Sequence, residues 1–317
     1  MSNYFDDRQN LGPPPPPFLP KEPQGNRGWI VLSAAFLLLV VVGGALRGLY
    51  TDWLWFQSVG YIQVFLTGLT TRIGLFAGGA VVFFVFFMAN LAVARRIAPQ
   101  PQLLAAGSDE SRLASRLTGT VLFGISLLLS FLAGSVVSGE WSRVLAFQHP
   151  VSFGVTDPVF QQDLSFFIFS LPVLRFIQIW VTGAATVTLM GVALLYGVSL
   201  SLNAAQALGR TASPKTRSIR AHISLLGVVI FSGLACGYWI DRFDLMFSDA
   251  GAVFGPGYTD INARLPALTA LSVVAAAGAV ALVVNIFLRG ILVPAVVVAV
   301  WIVTGVMGGR LYPEFVQ

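Results

Sequence analysis

Seven apolar runs punctuate the chain: Trp29 to Leu49, Ile73 to Ala94, Leu117 to Ser138, Val173 to Leu200, Ile223 to Ile240, Ala267 to Leu288 and Ile291 to Gly308. Each is close to the roughly twenty residues that carry a helix across a hydrocarbon core about 30 Å thick. Backbone groups in lipid must be satisfied within their own segment, so the runs predict helices. The expected fold is therefore all-α: a polytopic membrane bundle of about seven transmembrane helices, with interfacial helices on the outer face. The fourth run is long enough to need tilt or an interfacial outer end. The sixth and seventh, separated only by Arg289-Gly290, predict a tight hairpin. The first run is read as an uncleaved span, because no small-x-small site closes it.

Three polar, turn-rich inserts break this pattern: Tyr50 to Arg72, Glu140 to Pro172 and Asp241 to Pro266. The first packs Tyr50, Trp53, Trp55, Phe56 and Tyr61 into twelve residues. Trp and Tyr sit well at the headgroup level, so an interfacial helix on the outer leaflet is expected, with an aromatic cage for a cationic headgroup as the alternative. In the second, Asp157 precedes Pro158 and can start a turn, while Asp163 can cap a short apolar helix from Leu164 to Phe169. The third adds Asp241, Asp244, Asp249 and Asp260 among Gly251, Gly255, Pro256 and Gly257. These six aspartates form a candidate outer-face polar cluster. Together they approach the oxygen shell of a hard cation such as Ca²⁺, but no D-x-D-x-D-G spacing is present, and helix capping with pairing to Arg242 and Arg264 is the simpler reading.

Charge orients the runs. Counting Lys and Arg on alternate sides gives 12 on the side of Arg8, Lys21, Arg95, Arg96, Arg112, Lys215 and Arg289, and 7 on the other. The first side is then cytoplasmic, which puts the amino terminus inside, the carboxyl terminus outside, and all three inserts on the outer face. Hydrophobic residues form 56% of the chain and charged ones 10%, so the net charge of +5 reads as membrane orientation in a bacterial cell membrane and not as nucleic-acid binding. Residues 1–28, with prolines at 13 to 17, read as a disordered cytoplasmic tail, a polyproline ligand being the alternative. Residues 29–310 are the membrane domain and 311–317 an extracytoplasmic end. The lone Cys236 supplies no disulfide framework.

Within the runs no Asp, Glu or Lys is central, and Arg72, Arg175 and His222 lie at ends where they can snorkel. His222 reads as an interfacial residue beside Arg220. Asn285 is left as a group that a polar path would use. Gly74 and Gly78, and Gly305 and Gly309, have the small-xxx-small spacing that lets helices approach closely, by default within one chain. No phosphate loop, zinc-protease, serine-hydrolase or nicotinamide motif is present, so neither a catalytic residue nor a cofactor is expected.

The order DWLWFQSVGY, DPVFQQDLSFFIFSLP, FSDAGAVFGPGYTDINARLPAL between apolar runs resembles the membrane part of the bacterial uncharacterised protein family 0182, with GYTD and the A-x-LP of Ala263 to Pro266 the more specific elements. The resemblance implies about seven spans followed by a large extracytoplasmic soluble region. This chain stops at LYPEFVQ, near where that region would begin, as a membrane-only member or a fragment would. The leading functional expectation is a structural or accessory subunit, embedded in the lipid bilayer, that docks a membrane-protein complex through its outer loops. The alternatives are a transporter or channel for a lipid or ion, and an envelope-modifying enzyme using outer aspartates such as Asp249 and Asp260.

Overall fold

Continuous apolar sequence without proline gives long helices here, and the turns fall where glycine or proline forces them. A computed structural model of the chain describes residues 27–98, 109–204, 214–249, 254–288 and 290–307. The predicted tail, apart from Arg27 and Gly28, and the carboxyl-terminal end at 311–317 lie outside the described residues. Eight α-helices are present among those described: α1 (Arg27–Ser58), α2 (Ile62–Ile97), α3 (Asp109–Gly139), α4 (Trp141–Gln148), α5 (Leu171–Ala204), α6 (Pro214–Asp244), α7 (Leu265–Leu288) and α8 (Leu292–Val306). The described residues contain no strand, only an isolated antiparallel bridge between Thr156 and Asp163. Six helices are long and apolar enough to cross a membrane, and α8 is a shorter apolar one. The chain is an all-α bundle of apolar helices.

The chain divides into two compact units, Met1–Leu66 and Thr67–Gln317. In the first, α1 runs unbroken through the aromatic segment to Ser58. The separate interfacial helix expected for Tyr50 to Tyr61 is therefore absent: Arg47 to Ser58 contains no proline to stop the first helix, so it continues. It ends in a Schellman turn, in which Tyr61 N–H donates to Phe56 O at 2.9 Å and Gly60 takes φ +78°, a conformation that favours glycine.

In the second unit, α6 packs most extensively on α7 and next on α5, and α7 packs on α8. One core cluster draws Phe83, Phe87 and Leu91 of α2 together with Val192 and Tyr196 of α5 and Leu226 of α6. The phenylalanines and Leu91 recur every fourth residue, which aligns them on one helix face. A second cluster joins Phe231, Ala279, Leu282 and Val297 of α6, α7 and α8. The α7–α8 hairpin forms as expected, with Asn285 closing it: its amide donates to Gly290 O (3.1 Å) and Ser224 Oγ (2.8 Å) and accepts from Gly290 N–H (3.0 Å). Asn285 is fully buried and committed to this turn, so it is not the lining of a polar path.

The close helix approaches use glycines other than those picked out by spacing. A Cβ on Gly134 of α3 would stand 2.6 Å from the Phe76 carbonyl oxygen of α2, and one on Gly79 would meet Val137. Gly74, Gly78 and Gly305 have nothing within 4 Å of that position, and Gly309 lies outside the described residues. Small-xxx-small spacing marks a face that permits approach, and only the arrangement of neighbouring helices decides which such face is used.

Candidate functional site

Two of the inserts converge at one end of the second unit, where α5 begins and α6 ends. After α4 the chain folds into a hairpin-like turn: Leu164 N–H donates to Val155 O (3.0 Å) and Asp157 N–H to Gln162 O (2.8 Å), with Gln161 at φ +56°. Asp157 caps the turn, one carboxylate oxygen accepting from Val159 N–H (2.9 Å) and Phe160 N–H. Its Oδ1 is buried without a hydrogen-bond partner. Asp163 gathers the other side, accepting from Ser152 Oγ (2.6 Å) and from the N–H groups of Phe153, Gly154 and Ser165. The Ser152 hydroxyl foremost, then Ser165, holds the Asp163 carboxyl well below the usual carboxylate range.

Helix begins at Leu164, as the Asp163 cap predicts, but it does not stop at Phe169. It passes through a π-helical segment, Phe166–Ser170, directly into α5. A second π segment, Asp260–Arg264, leads into α7. Both are followed by Leu-Pro, at Leu171-Pro172 and Leu265-Pro266. Proline cannot donate to the carbonyl four residues back and its ring crowds it, and the wider π turn removes that conflict.

The start of α5 is joined to the end of α6 by charge. Arg175 Nη2 pairs with Asp241 Oδ1 at 2.8 Å and also with Asp244. Expected pairing with Arg242 does not occur in this cluster; the Arg242 guanidinium stacks 4.0 Å over the Trp239 ring instead. One helical turn separates Asp241 from Asp244 and puts both on the face toward α5, whereas Arg242 projects elsewhere. Around these ions Phe160, Phe166 and Phe167 pack on Phe243, with Phe160 and Phe243 centroids 4.9 Å apart. Asp260 is 3% exposed and bound locally, to Gly257 N–H (3.0 Å), Arg264 Nη1 (2.9 Å) and the Ser248 hydroxyl. Asp249 is exposed.

Five of the six aspartates therefore divide among a hairpin, an interhelical ion cluster and a helix entry, Asp249 belonging to none of these, and they do not face a common centre. Among the described residues, no group of three or more His, Cys, Asp or Glu side chains converges as a metal would require. The aromatic set of the first insert belongs to the end of α1, where Tyr50, Trp55 and Tyr61 are exposed and Trp55 meets Phe56 edge-on at 4.8 Å.

Beside the ion cluster lies a cleft of about 400 Å³. Glu140, Arg143, Arg175 and Asp244 line its polar side; Phe167, Leu171, Phe176, Ile179 and Phe247 line the rest. Arg143 pairs with Glu140 at 2.6 Å and is itself mostly exposed. Sequence reasoning took Arg175 for a snorkelling residue and passed over Arg143. The Arg175 partner Asp241 is 66 residues away and Asp244 lies beyond that, so no local spacing marks them.

The other arrangement missed in the sequence lies within the helices. His222, expected at an interface, is 6% exposed. Its Nδ1 is 2.8 Å from the Tyr196 hydroxyl and its Nε2 3.0 Å from Asn90 Oδ1, which ties α6 to α5 and α2. Asn90 in turn donates to Phe86 O at 2.7 Å. An imidazole with a hydrogen-bond partner at each nitrogen can be buried where an unpartnered one would be costly.

Comparison with known proteins gives this architecture a family. The chain is 32% identical over 314 residues to a UPF0182 protein of Desulforamulus reducens, an alignment covering 92% of this chain and 33% of that one. It is 34% identical over 294 residues to a UPF0182 protein of Pelotomaculum thermopropionicum (89% and 31%), and 31% identical over 309 residues to one of Saccharopolyspora erythraea (94% and 31%). The chain thus spans about a third of the length of the curated relatives it matches. No solved structure matches it. The family model for UPF0182 covers residues 29–317, from the start of the first apolar helix onward, and the chain belongs to this Uncharacterised protein family.

Proposed function

We propose that this chain is a membrane scaffold of the bacterial cell membrane, with its amino-terminal side cytoplasmic, whose second and third inserts dock a soluble extracytoplasmic polypeptide. The observation that carries this reading is that the described parts of these inserts are tied to helix ends, yet present apolar side chains. Asp163 and Asp260 each take several local donors, while Val151, Phe153, Phe254 and Tyr258 stay largely exposed, the last two at 72% and 75%. A pre-ordered surface loses little conformational entropy on binding, and aromatic groups on it serve as anchors. An extracytoplasmic occupant follows from the Lys and Arg count, which orients the inserts outward, and the relatives carry about twice this chain's length outside the aligned third.

Photo-crosslinking side chains introduced in place of Phe153, Phe254 and Tyr258 test the reading in native membranes. A discrete adduct to one extracytoplasmic polypeptide, formed from these positions and not from Val82 within α2, is the expected result. Adducts to lipid alone from all three insert positions would overturn it.

A further inference from the structure

The cleft beside the ion cluster has a chemistry that docking does not use. Its polar side carries two guanidinium groups, Arg143 and Arg175, and two carboxylates, Glu140 and Asp244. The two ion pairs of Arg175 run through Nη2 alone, which leaves its Nη1 outside them. Much of the lining follows α5: Leu171, Arg175 and Ile179 stand at i, i+4 and i+8 on one helix face, with Phe176 beside them. Beyond Arg175 the α5 side of the cleft is hydrocarbon, at Phe176 and Ile179, on a helix long and apolar enough to cross a membrane. Its volume falls in the range of ligand sites.

We propose that this cleft binds a glycerophospholipid with an amine-bearing headgroup, phosphatidylethanolamine being the simplest. Guanidinium groups hold phosphate through paired, charge-assisted hydrogen bonds, so Arg143 and the Nη1 of Arg175 take the phosphate. An ammonium group donates three hydrogen bonds and needs acceptors, which Glu140 and Asp244 supply. The balance of two cations against two anions selects a zwitterion over a purely anionic headgroup. One acyl chain then lies along Phe176 and Ile179.

The test uses the full chain purified in mild detergent and incubated with mixed micelles containing phosphatidylethanolamine and phosphatidylglycerol in equal amounts, with bound lipid read by native mass spectrometry. Phosphatidylethanolamine should be retained several-fold over phosphatidylglycerol. Arg143→Gln, at an exposed side chain, should weaken that retention about tenfold, with Arg143→Lys recovering part of it. Ile179→Trp, which fills the apolar end and leaves every charge in place, should weaken it too. Equal retention by the native chain and both the Gln and Trp variants would overturn the site. Equal retention of the two lipids would overturn the zwitterion, and displacement of lipid by millimolar inorganic phosphate would show a free-anion site instead.

Discussion

His222 shows how a residue's neighbours in space redefine it. In the sequence it stands two places from Arg220 at the end of an apolar run, which is where an interfacial histidine belongs. In the fold it bridges Tyr196 and Asn90, residues 26 and 132 positions away, and no local pattern connects the three. Replacing it with Phe leaves the Tyr196 hydroxyl and the Asn90 carbonyl oxygen buried without their partner. Such a loss costs about 1–2 kcal/mol, toward the lower end if lipid-embedded side chains find other partners when the bundle opens. We expect His222→Phe to lower the thermal unfolding midpoint in detergent. In a double-mutant cycle with Asn90→Ala the two losses should be less than additive, and strict additivity would show that the bond contributes nothing. Asp163 is the opposite case, because its four donors all lie within eleven residues and its capping role was legible from position alone.

Helices were legible because lipid-length apolar runs admit few other structures; their joints were less so. Leu-Pro after an insert reads as the end of a loop, whereas at Leu171-Pro172 and Leu265-Pro266 it follows a π turn that has already begun the helix. Glycine spacing was a poorer guide still. The pairs Gly74/Gly78 and Gly305/Gly309 fit the motif, but Gly79 and Gly134 make the close approach between α2 and α3. Gly134→Ala should destabilise the chain by about 1–3 kcal/mol, since the new methyl meets a backbone carbonyl that cannot swing aside. Gly74→Ala should be neutral or slightly stabilising, as alanine is the better helix former and nothing lies in its way. Unfolding midpoints of the two variants check this; equal midpoints would mean that α2 and α3 do not pack as closely as the structure has them.

For the whole molecule, the charge asymmetry makes a prediction independent of the bundle's internal packing. In a Cys236→Ser background, a membrane-impermeant maleimide should label Val151→Cys in intact cells and Arg217→Cys only after lysis, both positions being exposed. The reverse pattern would place the inserts in the cytoplasm and remove the extracytoplasmic docking surface with them. The sequence by itself determined that the chain is a bundle of apolar helices, where most of them run, and which family it belongs to, because hydrocarbon length and backbone hydrogen bonding leave a long apolar segment no alternative to helix. Tertiary structure alone decided that Arg175 pairs with Asp241 and Asp244, that His222 is buried, and that a charged cleft opens beside α5. Each of these depends on contacts between helices far apart in the chain, where side-chain fit and the need to satisfy buried polar groups select partners that no local spacing records.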